Sequence, residues 1–327
     1  MSIDIHAHCV PRELLELLAA EGADFDIELT DDRRAVIAGA RPTMPIRHDL
    51  VDMDARLATM DRTGIEIQVL SSWVNLTAYG LDAARGERWS RRVNESLAEE
   101  ASRHPDRFRA LATVPLQAPE LAAGELRYAA QSLGMVGVEI ATTVDGVDLV
   151  SAQLDPFWAA AAQLQSLVLL HPMAPLPGID LRRHFLHNAV GRPAETTIAI
   201  ARLVMAGVFD RYPDLRVCVV HGGGFLPYQA GRLQRGWEGM PGVADTDLAT
   251  PPLDVVKQLY YDTILHNPLA LRYLIDLVGP ARIMVGTDYP FEAGDLDPLP
   301  AIDAVPNLTG EERNLIVAGT AAQLLGI

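Results

Sequence analysis

The sequence predicts a (β/α)8 barrel of the TIM type with a small β-hairpin insertion after its first strand. Three observations point there. Short apolar stretches alternate with amphipathic ones along nearly all of the 327 residues. Several of the apolar stretches, such as Leu167-Val168-Leu169-Leu170 and Val217-Cys218-Val219-Val220, have no polar interruption, as expected of strands covered on both faces. Polar residues suited to chemistry gather at the carboxyl ends of these stretches, where such barrels carry their active sites. A doubly wound open sheet is the rival architecture, and the lack of a Gly-x-Gly-x-x-Gly turn after the first strand counts against it.

In chain order, strands are expected at residues 3–6, 65–70, 108–112, 137–141, 167–170, 216–220, 259–262 and 282–285. The amphipathic stretches between and after them place helices at 51–62, 83–104, 119–133, 156–163, 193–209, 226–236, 268–278 and 311–325. Residues 11–47 break the alternation. There Phe25-Asp26-Ile27-Glu28-Leu29 and Ala35-Val36-Ile37 flank the turn-like Asp31-Asp32, which reads as a hairpin at the catalytic end, a lid or an oligomer contact. No low-complexity tract or linker divides the chain, so residues 1–327 read as one domain carrying that insertion.

Hydrophobic residues make up 49% of the chain, ample for a core, and no apolar run reaches the length of a membrane span. No basic region followed by an apolar stretch leads the sequence, so no signal peptide is expected. Cys9 and Cys218 are too few for a disulfide framework, and a reduced cytoplasmic compartment fits. A formal net charge of −16 without a basic patch argues against nucleic acid and anionic membrane as partners. Of 27 basic residues one, Lys257, is lysine and 26 are arginine, a ratio that high-GC coding bias explains.

In His6-Ala7-His8 the two-residue period of a strand puts both imidazoles on one face, with Ile3, Ile5 and Ala7 on the other. His171 ends the fifth strand, His221 the sixth, and Asp288 the eighth. One histidine after an apolar strand is usually a hydrogen-bonded core residue. Four of the nine histidines at the same end of separate strands, with a carboxylate, indicate a divalent-metal site. Glycines 222 to 224 precede a helix, but no Gly-Lys-Ser/Thr follows, so close backbone passage explains them better than a phosphate loop.

These motifs resemble the amidohydrolase superfamily, and within it the branch typified by 2-amino-3-carboxymuconate 6-semialdehyde decarboxylase. The resemblance is carried by Ile3-Asp4-Ile5-His6-Ala7-His8, Pro193-Ala194-Glu195-Thr196-Thr197-Ile198-Ala199-Ile200, Gly207-Val208-Phe209, His221-Gly222-Gly223-Gly224 and Gly286-Thr287-Asp288-Tyr289-Pro290-Phe291, in order along nearly the whole chain. It implies one metal held by His6, His8, His171 and Asp288, zinc or in some relatives manganese, with His221 just off the metal as acid or base. Three imidazoles and a carboxylate suit zinc with a position left open. Binuclear relatives bridge two metals with a carboxylated lysine on strand four. Here that strand reads Gly137-Val138-Glu139-Ile140-Ala141-Thr142, and Lys257 lies before strand seven, so a mononuclear centre is expected, with Glu139 as the substitute bridge otherwise.

The same resemblance implies that Arg56 and Arg232 grip substrate carboxylates, Arg232 from a neighbouring subunit of a homodimer. Where the branch has a tryptophan in the pocket wall this chain has Asn188, with His184 and His187 at the pocket mouth rather than on the metal. The expected activity is a nonoxidative decarboxylation of a small unsaturated or aromatic carboxylic acid, with Asp288 and His221 moving the proton and no organic cofactor. A hydrolase or hydratase using metal-activated water is the alternative, and a non-catalytic binding barrel is a third reading.

Overall fold

Strand β1 (Ile3–Cys9) is followed by a hairpin of β2 (Ile27–Leu29) and β3 (Ala35–Ile37), then by β4 (Ile67–Ser72), β5 (Phe108–Ala112), β6 (Gly137–Ala141), β7 (Leu167–His171), β8 (Arg216–Val219), β9 (Tyr260–Asp262) and β10 (Ile283–Met284). The computed structural model describes residues 1–144, 148–173, 176, 178–244 and 247–327. Apart from β2 and β3, which pair antiparallel, the strands form one eight-stranded sheet in the order β1-β4-β5-β6-β7-β8-β9-β10, every pair parallel. The ends of that sheet meet: Ile5 N donates to Val285 O at 2.9 Å and His8 N to Tyr289 O at 2.8 Å. The result is the (β/α)8 barrel that the alternation predicts.

Local departures from expectation have identifiable causes. The segment at 11–47 contains the hairpin and also a helix, Arg12–Glu21, which buries Leu14 and Leu18 and was not expected there. The helix expected at 193–209 splits into Arg192–Met205 and Val208–Arg211, because Gly207 takes φ 67° between them. Helices Pro252–Gln258 and Pro298–Asp303 are short, proline-led additions. Among the described residues no helix is long and apolar enough to cross a membrane.

β1 also departs from simple alternation. It pairs Ile3 with Ile67 and Asp4 with Gln68, then Ala7 with Leu70 and His8 with Ser71, so it carries one residue more than β4 across a bulge. Because of the bulge, Ile3 and Ile5 do not pack away from the barrel axis as expected. They join Val69, Leu111, Leu167, Leu169, Val220 and Met284 in a core inside the barrel, closed below by Ala321 and Leu325 of the last helix. His6 and His8 stand above that floor, with ring centroids 5.2 Å apart. A second, larger core lies between the sheet and the surrounding helices and includes Val138, Ile140, Val168, Leu170, Val217 and Val219.

Gly224 shows how tightly the loop after β8 is built. It sits at φ 63°, ψ −124°, and a Cβ there would lie 2.2 Å from Pro193 O. Gly224→Ala is expected to lower the unfolding free energy by at least about 2 kcal/mol, from backbone strain and that clash. The control Gly231→Ala, on an exposed helical turn with open space at its Cβ, is expected to gain about 0.5–1 kcal/mol. Denaturant unfolding compares the two, and a Gly224→Ala protein as stable as wild type would contradict the packing described.

Candidate metal centre

The barrel brings His6, His8, His171, His221 and Asp288 together at the carboxyl end of its strands. Ligand atoms of His6, His171, His221 and Asp288 all lie within 4.8 Å of one another, and so do those of His8, Glu139 and His171. Asp288 Oδ1 is 3.1 Å from His8 Nε2 and 3.6 Å from His6 Nε2, while its Oδ2 is 3.5 Å from His221 Nε2. His221 and Asp288 both adopt left-handed φ, 56° and 55°, which turns their side chains out of the strand direction at the ends of β8 and β10.

This cluster fits a cation. His6 Nε2, His8 Nε2, both ring nitrogens of His171, His221 Nδ1 and Asp288 Oδ1 are buried and make no hydrogen bond. Buried polar atoms are almost always paired, so such a concentration of orphans calls for a shared partner. His6 Nδ1 is 2.8 Å from Asp262 Oδ2, which makes Nδ1 the donor and leaves the lone pair on Nε2 facing inward. His8 Nδ1 lies 3.3 Å from the Ser72 carbonyl, which has the same effect.

Asp262 is the residue the sequence reading missed. It ends β9, fully buried, and also accepts from the backbone N of Gly222 at 2.8 Å, tying His6 to the loop that carries His221. Its position, a carboxylate at the carboxyl end of a strand, was the available signal. Asp4, two residues before His6 on β1, is a second knot. It accepts from His6 N, Thr287 N, Thr287 Oγ1 and Gln68 Nε2 at 2.6–3.1 Å, satisfying the backbone where the bulge interrupts the ladder.

Arg56 belongs to this scaffold. It is fully buried, donates from Nη1 to Gln68 Oε1 at 2.8 Å and from Nη2 to the His8 carbonyl at 2.5 Å, and stacks over Tyr289 at 4.5 Å. Arg232 is exposed on helix Leu226–Gly239. Asn188 and His187 are half-buried in the π-helical turn His187–Gly191, with His184 exposed before it. Lys257 is half-exposed, 3.9 Å from Asp254, on the helix preceding β9. Glu139, on β6, reaches 3.7 Å from His8 Nδ1. Phe291 forms a wall beside the centre, 5.6 Å from the His8 ring and 6.5 Å from Trp73.

The electrostatics of the metal-free chain follow from this crowding. Burial disfavours the Asp288 carboxylate, but His221, His8 and His6 outweigh it and hold the group well below the usual range. Burial and the neighbouring imidazoles His8, His6 and His221 push His171 down, leaving it neutral. Burial also opposes the His6 imidazolium, yet the Asp262 hydrogen bond and the charges of Asp288, Asp262 and Glu139 raise it from 6.5 to about 9. That proton stabilises the metal-free fold below pH 6.5, and the contribution is lost as pH rises through about 9. Chelator-treated protein should therefore melt at lower temperature across this window while its affinity for a divalent cation climbs, since the cation displaces the proton. Asp262→Asn should flatten both trends and weaken metal binding by about 10–100-fold. Chelator-competition titrations and thermal melts over pH decide this, and unchanged affinity in the variant would contradict the role of Asp262.

The family model described as amidohydrolase matches residues 3–327. Over 331 residues the chain is 29% identical to the 2-amino-3-carboxymuconate-6-semialdehyde decarboxylase of Dictyostelium discoideum, covering 100% of this chain and 92% of that protein. It is 33% identical to the gamma-resorcylate decarboxylase of Polaromonas sp. over 262 residues, 76% of this chain and 80% of the relative. Among solved structures it superposes on 5-carboxyvanillate decarboxylase from Sphingomonas paucimobilis with TM-score 0.85 at 25% identity, covering 100% of this chain and 99% of that one. The dihydroxybenzoic acid decarboxylase from Polaromonas sp. JS666, with bound manganese and the inhibitor 2-nitroresorcinol, gives TM-score 0.79 at 26% identity, over 99% of this chain and 96% of that one. The histidine and aspartate cluster is accordingly a divalent-metal site, and the chain belongs to the amidohydrolase family.

Proposed function

We propose that this chain is a metal-dependent nonoxidative decarboxylase acting on a small aromatic or unsaturated carboxylic acid. The observation that carries the reading is the set of buried, unpaired imidazole and carboxylate atoms at the barrel mouth, in a chain similar along its length to decarboxylases of such acids. His6, His8, His171 and Asp288 hold the cation in this reading. Zinc is the ion that three imidazoles and one carboxylate suit, with manganese its competitor because a relative binds it. When bound, the cation supplies Lewis-acid polarisation of a substrate oxygen.

The chain's own residues then move one proton. Asp288, ionised at neutral pH, and His221 beside it form a relay. The pair takes a proton from the substrate hydroxyl or from water and delivers it to the carbon bearing the carboxylate. The bond from that carbon to the carboxylate breaks, CO₂ leaves, and its bonding electrons return to the unsaturated system. Phe291 offers a flat apolar surface against which a planar ring can lie. Arg56 holds β1, and through it His8, in register. Exposed Tyr228 shares a helix with Arg232, exposed Phe225 directly precedes that helix, and exposed Tyr273 lies against Tyr228, which supports a homodimer with Arg232 near the subunit boundary.

Metal-loaded protein, offered hydroxybenzoates, carboxymuconate semialdehydes and lactones, is expected to release CO₂ as ultraviolet absorbance changes. Absorbance change without CO₂ would replace this reading with hydrolysis or hydration. His171→Ala should lose metal and activity together. His221→Asn should keep the metal and lose roughly 10²–10⁴-fold in kcat. Normal turnover by the second variant would remove His221 from the relay.

A further inference from the structure

The mouth of the barrel is rich in buried carboxylates, Asp288, Glu139 and Asp262, in a chain of net charge −16. An acid substrate adds another anion, so a fixed cation besides the metal is required nearby. Arg56 has both terminal nitrogens engaged with the scaffold, and Arg232, exposed on its own subunit, lies near the boundary of the proposed homodimer. A third arginine meets the requirement.

Arg192 is the first residue of helix Arg192–Met205, and the start of that helix is wedged between the two strand ends that carry His171 and His221. On the β7 side, Arg192 Nη1 donates to the carbonyl of Pro172, the residue after His171, at 2.8 Å. One turn on, Glu195 accepts from Met173 N at 2.9 Å and from Thr142 Oγ1. On the β8 side, Thr197 Oγ1 accepts from Phe225 N at 2.7 Å, and Gly224 passes against Pro193 O too closely for a Cβ. The side chain keeps 21% exposure, with Glu195 Oε2 3.9 Å from Nη1. Among the described residues Pro172 is its one hydrogen-bond partner, and a guanidinium carries five N–H donors in all. Burial lowers its pKa, and the charges of Glu195 and Asp288 act the other way.

We infer that Arg192 binds the substrate's carboxylate at the rim of the metal centre and so selects for an acid. The inference rests on the decarboxylase reading for its substrate class. The guanidinium fork matches a carboxylate in two parallel hydrogen bonds, which a lysine cannot reproduce. Its position on a helix braced against both strand ends fixes where that carboxylate lies relative to Asp288 and His221.

Benzoate and benzamide separate this role from a packing role. They share ring and shape and differ in charge, and neither carries the hydroxyl that would activate it for turnover. In calorimetric titration of the metal-loaded protein, wild type is expected to prefer benzoate. Arg192→Met should weaken benzoate by about tenfold to a hundredfold, the worth of a charge-assisted pair, and leave benzamide nearly unchanged. Arg192→Lys should fall between, with metal content and melting temperature as in wild type. Equal losses for both ligands, no loss for either, or no preference in wild type would each overturn the inference. If Arg192→Met fails to fold or to hold metal, Arg192→Lys decides by the same comparison. A charge-selective loss in a protein that releases no CO₂ from any acid would keep Arg192 and discard decarboxylation. CO₂ release with unaltered benzoate binding in the variant would do the reverse.

Discussion

A group of lone pairs buried without donors is the constraint on which the rest of this structure depends. Four imidazoles and Asp288 face one another with most of their inward-facing atoms buried and outside any hydrogen bond. Such a cluster is costly unless a cation occupies it, because unpaired polar atoms away from water lose their hydration without replacement. Much of the surrounding architecture serves to hold it together. The β1 bulge lets two histidines and two isoleucines reach the barrel interior from one strand, and Asp4 satisfies the backbone that the bulge leaves free. Gln68 and Arg56 extend that support to the next strand and to the carbonyl of His8. Asp262 fixes the His6 tautomer and at the same time anchors the loop of His221.

The same reasoning explains how helix Arg192–Met205 packs against the site. Glu195 and Thr197 spend their side chains on loop backbone after β7 and β8, groups that would otherwise be unpaired next to the site. Glycine at 224 allows the loop after β8 to touch the helix start directly. A rigid rim results, and a guanidinium mounted on it is positioned by covalent geometry and packing rather than by a flexible surface helix.

Much of this was legible in the sequence, for physical reasons. The barrel was, because strands buried on both faces have uninterrupted apolar runs, as Leu167 to Leu170 do. His6, His8, His171, His221 and Asp288 were, because an open-ended barrel displays polar residues at one end of such runs. The hydrogen-bond partners of Arg56 and Arg192 were not. Both are arginines on helices, and what separates them is where each guanidinium finds acceptors in three dimensions. Asp262 was hidden because a lone aspartate after Tyr260-Tyr261 looks like any strand terminus until His6 is seen 2.8 Å away. The inward turn of Ile3 and Ile5 was hidden as well, since a bulge is a property of pairing with β4 and leaves no mark in β1 itself.

The chemistry and the rim arginine support each other in a way that hydrolysis would not. A decarboxylase converts an anionic acid into a product that lacks the carboxylate, the departing carbon leaving as neutral CO₂. A guanidinium that holds the carboxylate therefore loses its partner when the bond breaks, and the product is bound less tightly than the substrate by the worth of that ion pair. Hydrolysis of an ester or lactone does the opposite, creating a carboxylate beside the same arginine and retaining the product. In the reading in which Arg192 holds the carboxylate, turnover without product trapping favours the reaction that consumes the anion.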